Sequence, residues 1–189
     1  MRFLDALLGR TKPVQPDLDA LFAVPAAATT LQAALDLVAT GAGAVCFKTA
    51  EGQSAARAQS DALALLTADQ AAQVAVSQDE YGYTWIAGRH DPGDLAGLVT
   101  DLHAVNSTLA DAGYGPSLLC TVIGFTGADG RRLGLVYLFK RGTFYPFAPT
   151  GAHTRDNALE LEVRAQLGGE LPVEADLGRW FPIWTTPAL

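Results

Sequence analysis

Residues 118–125 and 133–139 are two apolar runs joined by the loop Thr126-Gly-Ala-Asp-Gly130. A link this short, ending in Asp-Gly, lets the runs meet only as neighbouring antiparallel strands. Apolar side chains fall on both alternating faces of each run: Leu118, Cys120 and Val122 on one face, Leu119, Ile123 and Phe125 on the other. A strand that is apolar on both faces has to be covered on both. The hairpin therefore belongs centrally in a sheet, beneath helices, and residues 144–147 are a candidate third strand.

A helix to cover it precedes the hairpin. Leu95, Leu98, Val99, Leu102, Val105 and Leu109 form one continuous stripe within residues 92–112. Asp91 is the expected N-cap, Pro92 suits the first helical position, and Gly113 ends the pattern. Val74 and Val76, a polar Ser77-Gln-Asp-Glu80 turn, and then Tyr81, Tyr83, Trp85 and Ala87 predict a β-hairpin. Residues 44–47 read as a strand after a turn at Gly41 and Gly43, with residues 31–38 as a candidate partner. Asp17 predicts a short helix carrying Leu18, Leu21 and Phe22, stopped by Pro25, and residues 54–66 predict another. Residues 156–167 alternate like a strand, but Leu159, Val163 and Leu167 repeat every four and favour a helix capped by Thr154 or Asp156. The tail, residues 171–189, holds Trp180, Phe181 and Trp184 among prolines, too apolar for a free end, so it is expected to lie extended on the body.

At the start, Phe3, Leu4, Leu7 and Leu8 share one helical face. Gly9 can end that helix, and Pro13 and Pro16 stiffen the connector after it. A helix this short needs something to pack against. The expected fold class is therefore α+β: an antiparallel sheet with packed helices, forming a single domain over residues 17–189. A short amphipathic arm and proline linker, residues 1–16, precede it.

Thirteen basic residues against 20 acidic ones leave a net charge of −7, which disfavours broad binding to nucleic acid or anionic lipid. Cys46 and Cys120 each sit in an apolar run and read as reduced core thiols rather than a disulfide framework. Asp5 interrupts the apolar start and no small-residue cleavage site comes after it, so a signal peptide is not expected. No run reads as the roughly 18 apolar residues that cross a bilayer. The expected location is the cytoplasm, or the inner face of the membrane by way of a partner.

Motifs for chemistry are sparse. His90-Asp91-x-x-Asp94 invites a metal reading, but Asp91 is accounted for as a cap and His103 and His153 lie at no ligand spacing, so no metal is expected. No Walker loop, G-x-S-x-G or H-E-x-x-H occurs, and neither Gly41-Ala-Gly43 nor Gly113-Tyr-Gly115 sits where a phosphate loop would. Asn106 falls inside the helix stripe, where a buried amide needs a partner in the core or a ligand. Tyr83 and Trp85 are cross-strand packing or a binding platform, and with Asn106 they mark a possible pocket. Lys140, Arg141 and Tyr145 form either a tight corner or a docking surface, since arginine and aromatics are enriched at interfaces.

Several longer runs resemble one family. Phe3-Leu-Asp-Ala-Leu-Leu-Gly-Arg-Thr-Lys-Pro-Val, Tyr81-Gly-Tyr-Thr-Trp85 and Asp101-Leu-His-Ala-Val-Asn106 are similar to the PspAB family, the phage-shock-protein-A-associated proteins of actinobacteria. So are Lys140-Arg-Gly-Thr-Phe-Tyr-Pro-Phe147, Asp156-Asn-Ala-Leu-Glu-Leu161 and Gly178-Arg-Trp-Phe-Pro182. The resemblance runs nearly end to end. It implies association with a PspA-like coiled-coil protein that protects stressed membranes, and it implies no enzymatic activity, cofactor or catalytic residue. The expectation is a non-enzymatic adaptor or regulator in envelope stress, with Phe3, Leu4, Leu7, Leu8, Lys140, Arg141 and Tyr145 as candidate contacts. The alternative is a small-molecule sensor or an enzyme with a pocket near Trp85 and Asn106.

Overall fold

The computed structural model describes residues 16–48 and 73–189, together with Ser60 and Ala64, both helical. The predicted arm with Phe3, Leu4, Leu7 and Leu8 lies outside the described residues, as does nearly all of the predicted helix over residues 54–66.

Six strands form one antiparallel sheet: β1 (Leu37–Lys48), β2 (Gln73–Gln78), β3 (Tyr83–Arg89), β4 (Leu118–Gly127), β5 (Arg132–Leu138) and β6 (Thr143–Phe147). Their order is β2-β3-β1-β4-β5-β6, so β1 is central, between β3 and β4. The predicted hairpin is β4/β5, with Ile123 opposite Leu135 and Val122 opposite Val136.

Three helices, α1 (Val24–Leu35), α2 (Leu95–Leu109) and α3 (Asn157–Leu167), bring their apolar side chains into one core. That core holds Val45, Phe47, Ile86, Ile123, Phe125, Leu135 and Tyr137 from the sheet, and the whole predicted stripe of α2. The structure is thus α+β, as expected. Asp156 caps α3 by accepting from Leu159 N at 3.0 Å, which decides for helix in that segment.

Four local expectations need correction. Pro25 does not stop a helix. A 3-10 turn, Leu18–Ala23, runs into α1 with Pro25 in its first turn, where the missing N–H has no partner to lose. Residues 31–35 are consequently helix rather than a strand beside β1, and Leu31 and Leu35 join Leu21, Val24 and Ala27 on the buried face. The joined Leu18–Leu35 segment has a mean hydropathy of 1.4 over 18 residues, long and apolar enough by length and composition to cross a membrane, contrary to expectation. In the fold its apolar face is spent on the core. The cap of α2 is Asp94 rather than Asp91: Asp94 accepts from Gly97 N at 3.0 Å, while Asp94 N donates to Asp91 O across a turn.

Among the described residues, the second face of the sheet is covered by the tail rather than by helices. Ala44, Cys46, Trp85, Cys120, Val122, Val136, Tyr145 and Phe147 pack there against Trp180, Ile183, Trp184, Ala188 and Leu189. Gly124 of β4 lies opposite Gly134 of β5 and makes room for this. A Cβ on Gly124 would strike the Ala188 carbonyl, and one on Gly134 would come within 3.2 Å of Leu189.

Polar anchors hold the tail down. Phe144 N donates to Pro172 O at 2.8 Å and Glu174 N to Phe144 O at 2.7 Å. Tyr145 OH donates to Phe181 O at 2.8 Å, and Arg155 Nη1 to Trp180 O at 2.7 Å. Arg155 is itself fixed by buried Glu160 at 2.8 Å and lies over the Phe147 ring.

Candidate functional site

A cavity of about 670 Å³ lies between the sheet and the tail. That is within the roughly 300–1,000 Å³ of small-molecule sites. Strand alternation sets its floor: Cys46 of β1, Trp85 of β3, Cys120 of β4 and Tyr145 of β6 all point to the tail face. Residues 181–185 form its other wall, and Lys140, Arg141 and Arg179 line it as cations. It opens past Tyr81 and Phe181, which are 61% and 62% exposed.

Asp79 organises one end. It sits in the β2–β3 turn, where one carboxylate oxygen accepts from Tyr81 N and Tyr83 N at 3.0 and 2.9 Å. The other accepts from Trp85 Nε1 and Thr185 Oγ1, each at 3.0 Å, tying floor and tail together. Burial pushes the Asp79 pKa up, but the hydrogen bonds from Trp85, Tyr83, Thr185 and Tyr81 outweigh it and hold the group below the usual aspartate value.

Glu174 organises the other end. Nearly fully buried, it pairs with Arg141 Nε and accepts from Thr143 Oγ1 at 3.0 Å and Asp176 N at 3.1 Å. Burial again raises its pKa, and the bonds from Arg141, Asp176 and Thr143 bring it below the ordinary glutamate value. Cys46 and Cys120 stand opposite each other in the β1–β4 register, and both are free thiols. The hydrogen bond with Cys120, then burial, pushes the Cys46 thiol far above its usual pKa. Burial does the same to the Tyr145 hydroxyl.

The two groups of candidate residues, Lys140, Arg141 and Tyr145 on one hand and Tyr83 and Trp85 on the other, converge on this cavity. Tyr145 is 1% exposed with its hydroxyl bonded to the tail, so it is floor rather than an exposed contact. Asn106 lies elsewhere, on the helix side of the sheet. It is fully buried, and its Nδ2 donates to Leu102 O at 2.7 Å and Thr121 Oγ1 at 2.8 Å, which makes it a clamp between α2 and β4. His90 is bonded to Asp94 and Asp101, and no group of three or more His, Cys, Asp or Glu that could hold a metal occurs among the described residues. Sequence reasoning missed Asp79, Glu174, Arg179 and the Cys46–Cys120 opposition. Asp79 was visible only as a turn residue, and no short-range signal marks the other three.

Fold and site define an α+β sheet protein with a tail-covered apolar cavity. The chain belongs to the PspAB family, described as PspA associated protein B, which it matches over residues 1–188. No curated protein and no solved structure matches the chain significantly.

Proposed function

We propose that this chain is a non-enzymatic adaptor or regulator in an envelope-stress response of the phage shock type, and that it binds a PspA-like coiled-coil protein. The observation that carries this reading is the family match over residues 1–188, whose name states association with PspA. The net charge of −7 supports a cytoplasmic protein that reaches the membrane through its partner rather than through anionic lipid. The contact surface proposed from the sequence is the arm with Phe3, Leu4, Leu7 and Leu8, an amphipathic face suited to a helical partner. Lys140 and the outer edge of Arg141 are a second candidate contact. The test is co-purification of the full chain with its native partner from stressed cells. Recovery of a PspA-like protein is the expected result; a preparation that never carries one overturns the reading.

The cavity favours a second reading, a small-molecule sensor. Its volume and its convergence of aromatic walls with three cations are what a ligand site offers. Trp85 belongs to that site and Asn106 does not.

A further inference from the structure

The polar side-chain atoms of the cavity floor and of the tail wall facing it are already spent, and the Tyr81 and Tyr83 hydroxyls line the exposed end. Trp85 Nε1 and Thr185 Oγ1 donate to Asp79, and Tyr145 OH donates to the tail carbonyl of Phe181. The Cys46 thiol is buried opposite Cys120 in the β1–β4 register. A ligand body with its own donors and acceptors would bury them without partners, at the cost of desolvation. A heterocycle or sugar is therefore disfavoured, and a hydrocarbon body suits the walls.

The cations are arranged differently. Lys140 is exposed and makes no hydrogen bond or ion pair to the described residues. Arg141 and Arg179 are each held through Nε, by Glu174 and Asp176, and their terminal nitrogens make no hydrogen bond to the described residues. A guanidinium oriented this way keeps its outer edge for an oxyanion. The Asp79 carboxylate in the same cavity is answered by four donors. Three cations thus meet at one apolar cavity of a chain whose net charge is −7.

We infer that the cavity takes a monomeric single-chain amphiphile, its hydrocarbon body between the sheet floor and the tail and its carboxylate or phosphate head at Lys140 and the terminal nitrogens of Arg141 and Arg179. This rests on the small-molecule reading and names its ligand class.

The chain's three tryptophans, Trp85, Trp180 and Trp184, all lie on the tail face, so their fluorescence reports on this region. The full chain is titrated with decanoate and decyl phosphate below their micelle concentrations, and with decanol and decyltrimethylammonium. Both anions should give a saturable change, with the cation at least about tenfold weaker. Lys140→Glu should weaken decanoate about fivefold or more and leave decanol unchanged, with Lys140→Gln intermediate and all unfolding midpoints kept, since an exposed charge contributes little to stability. Equal or tighter binding of the cation overturns the anionic head but leaves the small-molecule reading standing. Absence of binding by all four probes overturns both. A response to phosphatidylglycerol vesicles without one to the monomers overturns the monomeric ligand.

Discussion

Cys46 and Cys120 face each other across β1 and β4 beneath the tail, 3% and 7% exposed. Only a thiolate is an efficient nucleophile, and the raised pKa of Cys46 leaves little of it. Alkylation of Cys46 by iodoacetamide at pH 8 should run at least about tenfold slower in the native chain than in denaturant. Peptide mapping over time checks this, and equal rates would place the thiol in open solvent.

The stripe of α2 is core, with Leu98 1% exposed and Leu102 fully buried. Leu102→Ala or Leu98→Ala should cost about 2–5 kcal/mol, the range for large-to-small core changes. Urea midpoints measure it; a loss below about 0.5 kcal/mol would mean that the site collapses around the gap.

His90 places Nδ1 2.9 Å from Asp94 and Nε2 2.8 Å from Asp101. Ionised carboxylates only accept, so this geometry is fully satisfied when both ring nitrogens carry a proton and the imidazole is cationic. Burial works against the charge, but the bonds to Asp94 and Asp101 outweigh it and raise the pKa above 6.5. A raised folded pKa means stability that is fully present below the unfolded value and lost as pH rises through the folded one. His90→Gln should therefore destabilise most below pH 6.5, with the gap to the parent chain narrowing as pH rises past the folded pKa. Urea unfolding of both chains across that range is the measurement, and a gap that widens with pH would contradict the cationic ring.

At Gly124 the Ala188 carbonyl of the tail occupies the space a side chain would take. Gly124→Val puts side chain where the Ala188 carbonyl now lies, so the end of the tail has to lift. The expected loss is about 1–3 kcal/mol, as for other overpacked sites, with tryptophan emission shifted to the red. Unchanged emission would show that the tail can slide without losing its cover.

The predicted arm is expected to serve partner binding rather than folding. Four large apolar side chains on one face could supply roughly 6 kcal/mol before ordering costs. Deleting residues 1–12 should leave a cooperative unfolding transition and weaken association with the PspA-like partner at least tenfold, about 1.4 kcal/mol. A lost transition would make the arm part of the core, and undiminished binding would move the contact elsewhere.

Local chemistry was legible in the chain. Turn residues marked both hairpins, the spacing of Leu95 to Leu109 marked α2, and Asp156 with Leu159, Val163 and Leu167 marked α3, because caps, turns and periodicity act within a few residues. Pro25 misled because proline is tolerated in the first turn of a helix and forbidden in its interior, and which applies depends on the turn before it. The site was out of reach for a different reason. Trp85 and Asn106 were legible as unusual residues, but the sheet stands between them, since strand parity sends Trp85 to the tail and the α2 stripe sends Asn106 to the helices. Cys46 meets Cys120, and Asp79 meets Thr185, only once strand register and the path of the tail are set. Those contacts join residues far apart in the chain, and their energy comes from burying a face that no single segment can cover alone.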